Sequence, residues 1–290
     1  MKKFIVWGHK YNNHTHSNIH YAYKKAFESL GWETYWMDNA DDVSGFDFSN
    51  SLFLTEGQVD SNMPVRPDCK YILHNCDPGR YEGIKNNCIT LQVYTTDVLT
   101  RNVERIEDCV FYQSEINTLY QPWATDYLPS EIKDLERLNF SEEKSVYWVG
   151  SVWDGDGYGN ANQINDLINS LRKYNIEFRN IRTPHDDNRR YINSSYISPS
   201  IQGKWQVEKH YIPCRIFKNI SYGEFGITNS EAVYDLLEQK IVFDSDINTL
   251  VDKSISYRES VTLSELNEQI NLVRSKHTYI NRIENILRFL

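Results

Sequence analysis

The sequence predicts an α/β protein of two Rossmann-like domains facing a cleft, with a C-terminal helix returning to the first domain. Three observations lead there. Apolar runs alternate with amphipathic stretches from Lys3 to about residue 120. The alternation stops at Gln121-Pro-Trp-Ala-Thr-Asp-Tyr-Leu-Pro129 and the charged run Glu131–Lys144, then restarts at Val146. Such alternation implies parallel sheets with helices on their faces, and 290 residues suit two domains of ordinary size. The expected divisions are 1–125, 126–275 and a closing helix over 276–290.

Each element has a local reason. Lys3–Trp7 reads as a buried strand, followed by the polar loop Gly8–His16. Ser17 is a good N-cap for a helix whose apolar positions Ile19, Ala22, Tyr23, Ala26, Phe27 and Leu30 recur at helical spacing, closed by Gly31. Glu33–Met37, Ser51–Thr55, Tyr71–His74, Ile89–Tyr94 and Cys109–Tyr112 are short strands between turn signals. In the second half, strand Val146–Gly150 leads through the glycine-rich loop Ser151–Gly159 into a helix carrying Ile164, Leu167, Ile168 and Leu171. Ile176–Ile181, Tyr196–Gln202, Phe225–Thr228 and Lys240–Asp244 read as strands, and Glu231–Gln239 as a helix. A capping box at Thr262–Glu265 opens one long last helix with Leu266, Ile270, Val273, Ile280, Ile283, Leu287 and Leu290 along one face.

Composition narrows the function. Charged residues make up 24% of the chain and hydrophobic ones 40%, enough for full cores. A net charge of -9 argues against a broad nucleic-acid binder. No segment has the roughly 20 apolar residues that span a bilayer, and the first apolar run is too short for a secretory signal. Five cysteines without a C-x-x-C pair suggest reduced thiols, hence a cytoplasmic protein. His14, His16 and His20 do not match a metal-ligand spacing, and Asp154-Gly-Asp-Gly157 reads as a flexible turn, so no metal is expected.

The most informative stretch is Tyr211–Glu231. Pro213 suits a helix start. Arg215 then falls in the first turn, on the wrong end of the helix dipole, at a cost of about 0.3–1 kcal/mol. Free N–H groups and an arginine fork at one place suit an anion. Lys218 follows at i+3 on the same face, and Thr228-Asn-Ser-Glu231 reads as a second capped helix start. Together they suggest a phosphate or diphosphate site. The plainer alternative for Arg215 and Lys218 is a solvated helix face.

Four segments carry a family resemblance: Gln121-Pro-Trp-Ala-Thr-Asp126, Val149-Gly-Ser-Val-Trp153, Pro213–Gly223 with Gly226-Ile-Thr-Asn-Ser230, and Lys276-His-Thr-Tyr-Ile-Asn-Arg282. The chain resembles the GT-B nucleotide-sugar glycosyltransferases, in particular the glycosyltransferase group 1-like branch that includes CgeB-like proteins. The resemblance implies transfer of a sugar from a UDP- or GDP-sugar to a glycan, glycoprotein or lipid-linked acceptor, without metal, cofactor or nucleic-acid partner. It implies that Arg215 and then Lys218 stabilise the leaving diphosphate, and that Gly150, Ser151, Trp153, Tyr222, Thr228, Asn229 and Ser230 line the donor site. An inverting enzyme would also need a base; Asp77, Glu56 and His16 follow first-half strands and are the candidates. The alternatives are a nucleotide-sugar epimerase-like enzyme on the same fold, or a non-catalytic glycan-binding subunit.

Overall fold

The computed structural model describes residues 2–10, 15–94, 103–183 and 187–290. His14, part of the histidine run, lies outside them. The chain forms two compact units, Met1–Gln121 with Tyr279–Leu290, and Pro122–Thr278.

The first unit contains β1 (Lys3–Trp7), α1 (Thr15–Ser29), β2 (Glu33–Met37), β3 (Ser51–Glu56), β4 (Lys70–His74), α2 (Pro78–Tyr81), β5 (Cys88–Gln92), β6 (Glu104–Glu107), β7 (Val110–Gln113) and β8 (Thr118–Tyr120). These strands make one sheet in the order β2-β1-β3-β4-β5-β8-β7-β6. It is parallel from β2 to β8, and β7 and β6 add antiparallel edges. The sequence reading has one strand in that edge region. The extra reversals turn on Cys109 and Asn117, both at positive φ (58° and 45°), a conformation that asparagine tolerates better than most residues. β1 and β3 are apolar on both faces because helices and loops cover both: Phe4 stacks on Phe27 of α1, and Phe53 on Tyr71.

The second unit contains β9 (Ser145–Val149), α3 (Ala161–Arg172), β10 (Glu177–Ile181), α4 (Asn188–Asn193), α5 (Lys204–Glu208), α6 (Cys214–Ser221), β11 (Ile227–Thr228), α7 (Glu231–Leu236), β12 (Val242–Phe243), α8 (Ile247–Ser260) and α9 (Leu263–Lys276). β9 pairs with β10 and β11 with β12, all parallel. The expected strand Tyr196–Gln202 is extended backbone with a single bridge, Ser200 to Thr228. Pro199 has no N–H to donate to a ladder. The segment still joins the two strand pairs, since Tyr196 N–H donates to Ser145 O and Ser200 N–H to Ile227 O. The sequence reading places no element over Ile247–Ser260, where the structure has α8. Its buried face is only Ile247, Leu250, Val251 and Ser254, a weak amphipathic signal.

The long last helix is two helices. α9 ends at Lys276, and α10 (Tyr279–Leu287) follows after His277-Thr278. The break is fixed by tertiary contacts: Thr125 N–H donates to His277 O, Thr125 bridges Thr278, and the His277 ring stacks on Phe217. α10 returns to the first unit, where Tyr279 packs on Tyr23 of α1. No described helix is long and apolar enough to cross a membrane.

Glu224 is a buried carboxyl between α6 and β11, 3% exposed. Burial pushes its pKa from 4.5 up to about 8, against the pull of Arg258. The native state therefore holds a proton that the unfolded chain releases. The stability linked to this group is complete below pH 4.5 and is lost as pH rises through 8. We expect a slope of up to about 1.4 kcal/mol per pH unit in that window, removed by Glu224→Gln. Urea unfolding of both proteins at several pH values checks it; parallel slopes would refute the assignment.

Candidate functional site

In the second unit, the carboxyl end of β9 meets the start of α6. Pro213 is the N-cap of α6 rather than its first residue, and no side chain caps the helix, which leaves first-turn N–H groups open to a ligand. Arg215 lies in that turn. Its Nη2 donates to Val149 O at 2.6 Å, and the guanidinium carbon sits 3.7 Å from the centre of the Trp148 ring. Trp148 is itself oriented by its Nε1–H on Ser151 O. Gly150 makes the approach possible: its φ is +139°, and a Cβ there would lie 2.5 Å from Arg215 Nη2. Among the described residues, Arg215 forms no ion pair. Burial lowers its pKa to about 10, with Cys214 and Tyr211 working the other way, so it stays charged at neutral pH. A partly buried cation over an indole, without a carboxylate, at an uncapped helix start is suited to an anion.

The structure places the other expected donor-site residues differently. Lys218 is buried with its Nζ 3.3 Å from Asp126 Oδ2, so its charge is already balanced. The Tyr222 hydroxyl donates to the same carboxylate and its ring packs on Tyr127, which makes Tyr222 part of the unit's core. Thr228-Asn-Ser-Glu231 is no capping box, because Ser230 is the N-cap of α7 and Glu231 its first residue. Thr228 and Asn229 tie the end of β11 to Gln202: Thr228 Oγ1 donates to Gln202 Oε1, Gln202 N–H donates to Asn229 Oδ1, and Asn229 Nδ2 donates to Gln202 O. Gln202 Nε2 reaches Tyr211 O, which carries this tie to the entry of α6. The Ser230 hydroxyl is buried. Ser151 and Trp153 lie on the exposed glycine loop; Trp153, 42% exposed, covers Gly155, where a Cβ would strike its ring. Sequence reasoning missed Gln202, which it read as the end of a strand, and Gly203, to which it gave no role. The signal was there in Gly203 before a Gln206 that caps α5 from its first turn.

The first unit has its own polar cluster, at the carboxyl ends of β1, β3 and β4. Glu56, 2% exposed, accepts from Gln58 N–H and lies 3.1 Å from His9 Nε2. His16, in the first turn of α1, stands beside them; ring centres are 5.4 Å apart for His9 and His16 and 5.3 Å for His16 and His74. His20 bonds Gly8 O through Nδ1, and His74 bonds Leu91 O the same way. Burial lowers the His20 pKa to about 4 and also lowers that of His74. For Glu56, burial pushes the pKa up, but the bonds from His9 and Gln58 and the nearby His16 bring it below the ordinary value. Of the three expected bases, Glu56 and His16 thus stand together. Asp77 is apart: it is exposed and caps α2 by accepting from Gly79 N–H.

No protein-family model matches the chain, and no curated protein matches it. Solved structures do. An alpha-glucosyltransferase in complex with UDP and a 13-mer DNA containing a HMU base superposes with a TM-score of 0.61 at 7% identity, over 99% of this chain and 98% of that one. The BGT of T4 phage in complex with its UDP-glucose substrate gives 0.56 at 10%, over 99% of each. An alpha,alpha-trehalose-phosphate synthase (UDP-forming) from Burkholderia vietnamiensis gives 0.51 at 9%, over 99% and 96%. These neighbours are GT-B glycosyltransferases, and the chain has their fold.

Gly150→Ala tests the Arg215 geometry. We expect a loss of about 1–3 kcal/mol from the forbidden backbone and the clash. In an Arg215→Ala background the clash is absent, so the loss should shrink. Denaturant unfolding of the four proteins reads this; equal losses in both backgrounds would place Arg215 away from Gly150.

Proposed function

We propose that the protein is a glycosyltransferase that takes a sugar from a nucleoside diphosphate sugar, with Arg215 neutralising the diphosphate as the glycosidic bond breaks. The observation that carries this is the ion-pair-free guanidinium of Arg215 at the uncapped start of α6. In the free protein that charge is desolvated and is met, among the described residues, by a carbonyl and an indole face but by no carboxylate. A diphosphate supplies the compensation, and it does so most strongly when negative charge builds on the leaving group, which is the condition for catalysis. The donor side needs no metal in this reading, because a cation and helix N–H groups meet the charge. The GT-B fold, shared with structures bound to UDP and UDP-glucose, favours a UDP-sugar.

The acceptor is a hydroxyl compound. Its proton is assigned to the Glu56–His16 pair, where the carboxylate is held ionised by its neighbours. The net charge of -9 favours a glycan over a polyanion, although one structural neighbour is in complex with DNA.

Thermal-shift titration with UDP, GDP and their glucose conjugates, in the presence of a chelator, tests the donor reading. UDP or UDP-glucose should raise the Tm. Arg215→Ala should remove the shift, and Arg215→Lys should retain only part of it because an ammonium cannot donate in a fork. If no nucleotide shifts the parent protein, or if Arg215→Ala responds fully, the proposal is wrong.

A further inference from the structure

The cluster in the first unit has more nitrogen donors than a proton acceptor needs. We propose that His9, His16 and Glu56 bind one divalent transition-metal ion of the Zn2+ type. Their donor atoms lie within 4.8 Å of one another, and His9 Nε2 and Glu56 Oε2 are already 3.1 Å apart. A tetrahedral ion with bonds of about 2.0–2.2 Å holds its ligands roughly 3.3–3.6 Å apart. His16, half-buried in the first turn of α1, would have to move by about an ångström to complete the ligand set.

The surroundings are those of a metal site. The donors come from three different elements, the end of β1, the start of α1 and the end of β3, so the fold itself brings them together. In the sheet order β2-β1-β3, strand direction of travel reverses between β1 and β3, the place where open parallel sheets bind ligands. His9 is held at a φ of 53°, a left-handed conformation that costs about 1–3 kcal/mol and aims its ring at Glu56. Gln58 N–H donates to the same oxygen, Oε2, and so fixes the Glu56 carboxylate against His9. His74 donates Nδ1–H to Leu91 O and accepts from Asn75 Nδ2–H through Nε2, which fixes the ring that stands against His16. Imidazoles with a single carboxylate select Zn2+ or Co2+ over Mg2+ and Ca2+, which require oxygen ligands. Three protein ligands leave a position for an oxygen ligand, whose proton the ion makes easier to lose.

The inference departs from the metal-free expectation and does not depend on the donor reading; with an ion bound, Glu56 and His16 would serve as its ligands in place of accepting the proton directly. Tag-free, chelator-treated and dialysed protein is titrated with Zn2+ by calorimetry, with Co2+ by visible absorption, and with Mg2+. We expect one Zn2+ per chain, a d–d absorption band with Co2+, and no Mg2+ binding. His16→Ala and Glu56→Gln should each weaken Zn2+ binding by at least about tenfold. If Glu56→Gln does not fold, His16→Ala decides, because His16 is outside the core. Arg215→Ala should bind Zn2+ as the parent does while losing nucleotide, so the two readings fail separately. The inference is overturned if the parent takes up no ion, or if a folded variant binds Zn2+ as tightly as the parent.

Discussion

The second unit is arranged around one buried arginine that has no ion pair among the described residues. An arginine at a helix start opposes the dipole and loses hydration, and among the described residues no carboxylate offsets these losses. The structure holds it there regardless, through the Val149 carbonyl, the face of Trp148 and the missing side chain of Gly150. Several other features follow from that requirement. Gln202 ties β11 to the entry of α6 and so fixes the helix start. The Lys218–Asp126 pair with the Tyr222 hydroxyl fixes the body of the same helix from below. Two cations three residues apart on one helix thus have opposite fates. The one with a carboxylate is structural, and the one without is available to a ligand.

The same backbone geometry occurs in each unit with different chemistry. In the first, the loops after β1, β3 and β4 bring together imidazoles and one carboxylate. In the second, the loop after β9 and the helix after the 196–202 segment bring together a guanidinium and free amides. Both use the carboxyl ends of parallel strands, where loops diverge and amides point outward. Imidazole and carboxylate exchange protons or bind metal near neutral pH, whereas guanidinium holds a fixed charge.

What the sequence disclosed depended on the range of the interaction. β1, β2 and β10 and the Arg215 helix were legible, because periodicity and helix-start chemistry are local. The fate of Lys218 was not, since Asp126 lies far away in sequence and only the fold brings it near. Glu56 and His16 were named separately from their places after strands. Their meeting with His9, His20 and His74 depends on strand order, which no local pattern encodes. The split of the last helix was hidden for the same reason: Leu266 to Leu290 keeps a continuous apolar face, and the break at His277 comes from Thr125 and Phe217. α8 was missed because a helix with four buried positions carries little periodic signal.

Backbone-supplied binding also accounts for how little sequence this fold needs to share with its structural neighbours. Strand order, helix starts and outward-pointing amides are properties of the chain path, and many apolar sequences build the same path. In this chain the features that hold the helix start are few: a cation in its first turn, a residue without a side chain where it approaches, and the tie from Gln202 to Asn229. The path does not dictate the exposed Trp153 on its glycine loop or the histidines around Glu56. The chain path therefore sets closely where Arg215 and the first-turn amides of α6 stand, whereas the histidine cluster around Glu56 is made by side chains that the path leaves open.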